Sequence, residues 1–380
     1  MRRGLRALLL PALLLSLSGC IGGSDATSQG PGSGEAPPKV TVSTPTTDAG
    51  CEPAKATLAA RGRPLPMKTI AVVKDGGTLS DMAIGGGYIV WSTIHIETGA
   101  GSLYERRIEG GPVRTLNGPE VVYPSGLGSG PKGVYVVTGT ETQNVMLLPH
   151  GGGTMTPVVR NLVAPLSQRG DLIAYARGLA DGSREIGVID TATGKRRAIA
   201  TDRACEDGVC SRIDQVELTD DAVVWTEGAI GDHPSFLVRE SLSGGQPTRL
   251  RIANDVQPDL ASGNGPVPFR KLGCAWQTWD GSETAAAAFD VPRAGQLIAL
   301  NSGTWYGTLG GDGQTVVARG ARDAVVDRAS EVSGKGVGVY GGMFISGDTL
   351  LVGWNVYVPH NGELDHEEPS FSVVRLGRLT

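Results

Sequence analysis

The chain has 380 residues, enough for one large domain or two smaller ones. Its 57 glycines, 23 prolines and only 5% aromatic residues suit many short strands joined by tight turns and leave little room for long helices. A formal net charge of −5 supplies no basic excess to displace counterions from phosphates, so no nucleic-acid partner is expected.

The first residues read as a processing signal. Arg2, Arg3 and Arg6 form a positive head, Leu8 to Leu17 an apolar segment too short to span a bilayer, and Leu17-Ser18-Gly19-Cys20 a cleavage site. The Leu-Ser-Gly-Cys ending resembles the lipobox of bacterial lipoproteins. That resemblance implies that residues 1–19 are a signal peptide and that Cys20 receives a diacylglyceryl group and becomes the mature N-terminus. It also implies a lipid anchor, palmitate included, facing the extracytoplasmic side of a bacterial envelope membrane. At about 0.8 kcal/mol per buried methylene, several acyl chains make a stable anchor.

Residues 20–66 read as the lipidated cysteine and a linker. Gly22-Gly23-Ser24 through Pro37-Pro38 to Thr47 has almost no apolar clustering. If flexible, the roughly 27 residues from Ser24 to Gly50 span about 30 Å, which lets a domain at 67–380 hang clear of the headgroups.

Besides Cys20 the chain holds Cys51, Cys205, Cys210 and Cys274. Four cysteines in an exported chain allow three pairings. Cys205 and Cys210 enclose a polar turn, Glu206-Asp207-Gly208-Val209, and are expected to pair. Cys51 with Cys274 follows by elimination and would pin the linker to the domain, while an unpaired Cys274 buried in an apolar strand stays open. No Cys-x-x-Cys partners a histidine at zinc-finger spacing.

From residue 77 the chain repeats itself. Met82 to Leu116 holds the apolar run Tyr88-Ile89-Val90-Trp91, a second run from Leu103 to Ile108, the pair Gly110-Gly111 and a last run from Val113 to Leu116. The same order returns between Ile213 and Leu250, where Trp225, Gly244 and Leu250 each lie 134 residues after Trp91, Gly110 and Leu116. One offset shared by three landmarks marks a repeat, here three units of about 44 to 45 residues, the period of propeller blades. Aligned on Trp91, Val137, Tyr175, Trp225, Trp276, Ala318 and Val352, the chain divides into seven units. Those at Gly273 to Trp279 and Thr315 to Arg319 are degenerate, so six or eight stay open.

Each unit reads as four strands, a to d from the centre outward. In the first, Leu79 to Ile84 is a, Gly87 to Ser92 is b, Ser102 to Ile108 is c and Pro112 to Leu116 is d. Strand b is apolar on both sides and is expected to face a neighbouring blade on each. The last unit, with Met343 to Ile345, Leu350 to Trp354 and Phe371 to Leu376, lacks a fourth strand, and Lys68 to Val73 lacks a blade. Lys68 to Val73 is therefore expected beside Phe371 to Leu376, closing the ring and removing two raw edges. The fold class is all-β, a seven-bladed β-propeller closed by an N-terminal strand.

The Leu103 to Leu116 phrase, with Gly110-Gly111 at its centre, resembles the WD40-like repeats of TolB and related extracytoplasmic propellers. The run Val223-Val224-Trp225-Thr226 looks like a YWTD-type blade strand. This resemblance covers most of residues 77–380 and implies protein binding, assembly or substrate gating. Asp190-Thr191-Ala192-Thr193-Gly194-Lys195 resembles the turn of quinoprotein and BamB-like blades, and an ordinary c–d hairpin explains it equally well.

Candidate chemistry gathers in the b–c loops. His360-Asn361-Gly362-Glu363-Leu364-Asp365-His366-Glu367-Glu368 follows strand b of the last unit, and His95 and His233 follow strands b of the first and fourth. In a propeller these loops open on one face, and closure makes the last and first units neighbours. His95 can then meet His360 or His366, with Glu363 or Asp365 supplying oxygen, a ligand set suited to Zn²⁺ or another divalent ion. The plainer reading is a solvated acidic hairpin. No other cofactor is expected. The pairs Arg106-Arg107 and Arg196-Arg197 read as solvated strand faces.

These readings converge on a membrane-anchored extracytoplasmic binding or scaffolding lipoprotein whose partner, a protein or an envelope polymer, sits on the rim of Thr93 to Gly101, Gly228 to Pro234 and Pro359 to Ser370. The alternative is a propeller enzyme, a lyase or hydrolase using the histidine and acid rim. The Gly-x-Ser-x-Gly elbow of prolyl-oligopeptidase relatives does not occur.

Overall fold

At Tyr88–Ile94 both faces of one strand are apolar and both are buried, with Ile89, Val90 and Trp91 at most 1% exposed. Successive side chains of a strand point to opposite faces. Ile89 and Trp91 accordingly enter a layer with Ile70, Leu79, Met82, Leu351 and Val374, while Val90 packs with Leu127, Val134, Val136 and Leu148. The same division recurs at the fourth repeat, where Val223 and Trp225 pack with Ala174, Ile186 and Val188 and Val224 packs with Val267, Phe269 and Trp279.

The structure is a computed structural model that describes residues 42–43, 65–122, 124, 126–139, 142–203, 205–206, 209–229, 234–254, 259–263, 265–270, 276–282, 284–285, 295–301, 304–309, 316–319, 324–328, 337–359 and 369–378. All of these lie in the unit Val40–Thr380. They form strands and turns, and no helix occurs among the described residues.

Antiparallel sheets follow one another along the chain. The first runs Thr78–Gly85, Tyr88–Ile94, Ala100–Arg107 and Arg114–Val122, each strand paired with the next. The second runs Gly126–Gly130, Gly133–Thr138, Gln143–Leu148 and Thr156–Leu162. In the third, Ser167–Arg169, Leu172–Gly178, Ser183–Asp190 and Lys195–Arg203 pair in order. In the fourth, Val216–Leu218, Ala222–Ala229, Pro234–Ser241 and Thr248–Asn254 do the same. A layer of Tyr135, Val137, Ile173 and Tyr175 joins the second sheet to the third.

The final sheet is completed from the other end of the domain. Val337–Ser346, Thr349–Tyr357 and Phe371–Arg378 pair in order, and Lys68–Val73 adds to Phe371–Arg378 with Ala71 opposite Val374 and Val72 opposite Val373. The N-terminal strand thus stands where its unpartnered apolar pattern placed it.

The degenerate region departs from the alignment. Val316–Arg319, taken from sequence as the second strand of its unit, lies fourth in a sheet ordered Ser262–Gly263, Gly295–Asn301, Thr304–Leu309, Val316–Arg319 and Ala324–Arg328. Thr304–Leu309 carries Trp305 and Tyr306 among small residues, too weak an apolar run to stand out by pattern.

Glycine answers two different demands. Gly110 and Gly111 have φ of 122° and 114°, and a Cβ at either would meet nothing, so backbone conformation selects them. At Gly85 the demand is space, because a Cβ would lie 2.0 Å from the Ser129 carbonyl oxygen of the next sheet.

Cys205 and Cys210 are Cα partners in a short antiparallel ladder. Cys20, Cys51 and Cys274 lie outside the described residues.

Candidate functional site

Of the rim residues expected from sequence, the structure describes His95. It is half-buried and opens a turn in which Gly99 N donates to the His95 carbonyl and His95 N to the Ala100 carbonyl, both at 2.8 Å. His233, His360, Glu363, Asp365 and His366 lie outside the described residues. Among the described residues no three His, Cys, Asp or Glu side chains are placed to hold a metal.

The structure gathers a different set of groups where first strands of its sheets converge. The first strands of five sheets surround a cavity of about 130 Å³. Asp81 enters from Thr78–Gly85, Leu127 from Gly126–Gly130, Gln168 from Ser167–Arg169, Glu217 from Val216–Leu218 and Phe344 from Val337–Ser346.

Asp81 is aimed by a bulge. The register between Thr78–Gly85 and Tyr88–Ile94 slips between Leu79 and Asp81, and the extra residue, Ser80, donates to the Pro124 carbonyl at 2.8 Å. A bulge re-aims the side chains beside it. Asp81 Oδ1 accepts from Met82 N and Oδ2 from Leu127 N, each at 2.7 Å, so one carboxylate ties the first sheet to the second.

Glu217 comes from the fourth sheet and accepts from Ser167 Oγ of the third at 2.6 Å, while that hydroxyl accepts from Leu218 N at 3.1 Å. Both residues are half-buried and line the cavity. Burial pushes Asp81 up to about 6 against its two backbone hydrogen bonds, and Glu217 up to about 7 against the Ser167 hydroxyl. Burial also raises Tyr340, with the Asp81 charge adding to it.

Gln168 is the strongest clamp. It is 7% exposed. Its Oε1 accepts from Ser129 N at 2.8 Å, and its Nε2 donates to the carbonyls of Ser129 at 2.6 Å, Gly170 at 3.0 Å and Ile84 at 3.3 Å. One side chain thereby joins three sheets. Gln168→Ala leaves both backbone groups of Ser129 without partners, at about 1–3 kcal/mol for each buried group. A loss of about 2–4 kcal/mol is expected in chemical denaturation.

A second polar knot ties the first sheet to the second. His150 stacks on Tyr88 with ring centroids 3.7 Å apart. Its Nε2 donates to the Gly130 carbonyl at 2.8 Å and its Nδ1 meets Glu105 Oε2 at 2.7 Å. Gly151 N donates to Glu105 Oε1 at 3.0 Å.

None of Asp81, Gln168, Glu217 and His150 was singled out from sequence. A lone polar residue in a short strand reads as solvent-facing under strict alternation. The available signal was that Asp81 and Glu217 occupy the first strand of their units, which the repeat pattern reads as innermost.

Comparisons with solved structures bear on the fold alone. The β-propeller domain of the trilobed protease from Pyrococcus furiosus is 11% identical, with a TM-score of 0.46 over 76% of this chain and 97% of that one. A prolyl endopeptidase is 13% identical, with a TM-score of 0.51 over 76% of this chain and 47% of its own, so the present chain spans about half that enzyme's length. TolB from Acinetobacter baumannii is 13% identical, with a TM-score of 0.39 over 64% of this chain and 66% of that one. The likeness to the prolyl endopeptidase bears on the fold, and the described residues of the present chain are likewise β throughout. No family model and no curated protein sequence matches the chain.

Proposed function

We propose that this chain is a membrane-anchored extracytoplasmic lipoprotein whose closed, seven-bladed propeller binds a protein partner on the face where the b–c loops open. The observation that carries this reading is the placement of exposed apolar side chains. Ile96 is 63% exposed in the b–c loop of the first sheet, and Val358, 39% exposed, directly follows the second strand of the last. Val337 lies opposite Tyr357 at the same end of that sheet. Val163 follows Leu162, which pairs with Gln143 at the corresponding end of the second. Single exposed apolar residues need no explanation, but several at one end of adjoining sheets favour a protein surface as the occupant.

The two sheets carrying Ile96 and Val358 are aligned, since Leu79 N donates to Asn355 Oδ1 at 2.8 Å near the ends concerned. The cavity among the first strands supports binding at the rim in preference to chemistry within it. About 130 Å³ falls below the roughly 300 Å³ at which small-molecule pockets begin, and its polar groups already bridge sheets.

Two measurements test the proposal. Cys20→Ser is expected to abolish incorporation of labelled fatty acid and release the protein from membranes. Capture of an envelope protein by the full chain is expected to fall at least tenfold in an Ile96→Glu, Val358→Glu double variant with unchanged melting, and to survive chelator. Retained capture would overturn the rim, and capture or catalysis lost on chelation would favour the metal-assisted enzyme.

A further inference from the structure

We infer a phosphoryl-binding site at the c–d hairpin of the first sheet, a place that shares no lining residue with the rim or with the cavity among the first strands. Tyr88 is the cross-strand partner of Arg107, and Glu105 that of Arg114. Directly opposed residues share a face, so these four side chains stand together on the side of the sheet that meets His150. Arg106 points the other way, where its guanidinium donates to the Ile70 carbonyl.

Tyr88, Glu105, Arg107 and Arg114, with Arg106 and the Gly110–Pro112 turn, line a cavity of about 100 Å³. At about 30 Å³ per water in the liquid, that is room for roughly three waters, the scale of a tetrahedral oxyanion and smaller than a sugar ring.

The charge of this cavity is positive. Glu105 is 1% exposed, and its two oxygens are already engaged by His150 Nδ1 and Gly151 N. Arg107 lies over the Tyr88 ring, its guanidinium carbon 5.5 Å from the centroid. Among the described residues neither Arg107 nor Arg114 has a carboxylate partner.

Two guanidinium forks choose between anions. A carboxylate offers two oxygens and satisfies one fork, whereas a phosphoryl group offers three or more and can take both. Tyr88, which lines the cavity, is held by stacking on His150, so less of its ordering is left for binding to cost.

The test uses the purified full chain at constant ionic strength. Inorganic phosphate is titrated against chloride by calorimetry, and vesicles of phosphatidylcholine with or without phosphatidic acid form a second arm. Arg107→Gln and Arg114→Gln are each expected to weaken binding about tenfold or more, as the loss of one charge-assisted hydrogen bond does. Arg107→Lys, which keeps charge but not the fork, falls between, and the distant exposed Arg160→Gln leaves binding unchanged. Free phosphate bound in this pattern assigns the site to soluble phosphate esters, and vesicle capture dependent on phosphatidic acid and lost in the same variants assigns it to a lipid headgroup. Binding to neither probe, or binding unaltered in arginine variants that melt like the parent, overturns the site.

Discussion

Asp327→Ala is expected to destabilise the protein by about 3–5 kcal/mol, the cost of leaving one member of a buried ion pair without the other. Asp327 is fully buried and meets Arg375, itself 8% exposed. The second carboxylate oxygen accepts from Trp354 Nε1 at 2.9 Å, and Arg375 also donates to the Met67 carbonyl at 3.0 Å. The cluster therefore joins Ala324–Arg328, the final sheet and the residue just before the N-terminal strand that completes it. Removing the carboxylate takes an ion-pair partner from a buried guanidinium and an acceptor from the Trp354 indole N–H. Asp327→Asn, close to isosteric, is expected to lose much of the same stability, because the charge paired with Arg375 goes with it. Thermal melting of both variants checks the expectation, and parent-like melting of Asp327→Ala would show that Arg375 holds the sheet without its partner.

Glu217→Gln is expected to stabilise the protein at pH 8. Burial holds the Glu217 carboxyl up at about 7 in the folded chain, whereas the unfolded chain titrates near 4.3. Between those values the folded state binds more protons than the unfolded state, so stability is greatest below about pH 4 and falls as pH rises through 7. Asp81, held up to about 6, adds a loss of the same sign over a lower window. Glutamine removes the Glu217 contribution, on the order of 2–3 kcal/mol at most at pH 8, because each unit of pKa is worth about 1.4 kcal/mol and water in the cavity reduces it. The measurement is denaturation of parent and variant from pH 4.5 to 8. The parent curve should slope downward and the variant curve should be flatter, and parallel curves would sink the assignment of Glu217 to a desolvated site.

Much of this architecture was legible in the residues. Ile89, Val90 and Trp91 announced a strand buried on both faces, and the structure divides them between two neighbouring layers. Lys68–Val73 announced a strand in search of a sheet, and it pairs with Phe371–Arg378. The groups that tie sheets together were not legible. Glu217 and Ser167 are 50 residues apart, and Asp327 and Arg375 are 48. Nothing in either segment points to the other, since each polar residue taken alone fits a solvated strand face.

The sequence by itself determined the repeating sheet, because burying apolar side chains on both faces of a strand requires a neighbour on each side and the chain states that pattern locally. Tertiary structure alone decided where charge is buried. A one-residue bulge at Ser80 aims Asp81 at Leu127, and the convergence of five first strands raises the carboxyls of Asp81 and Glu217. Desolvation depends on everything that surrounds a group in space, and no short stretch of sequence carries that information.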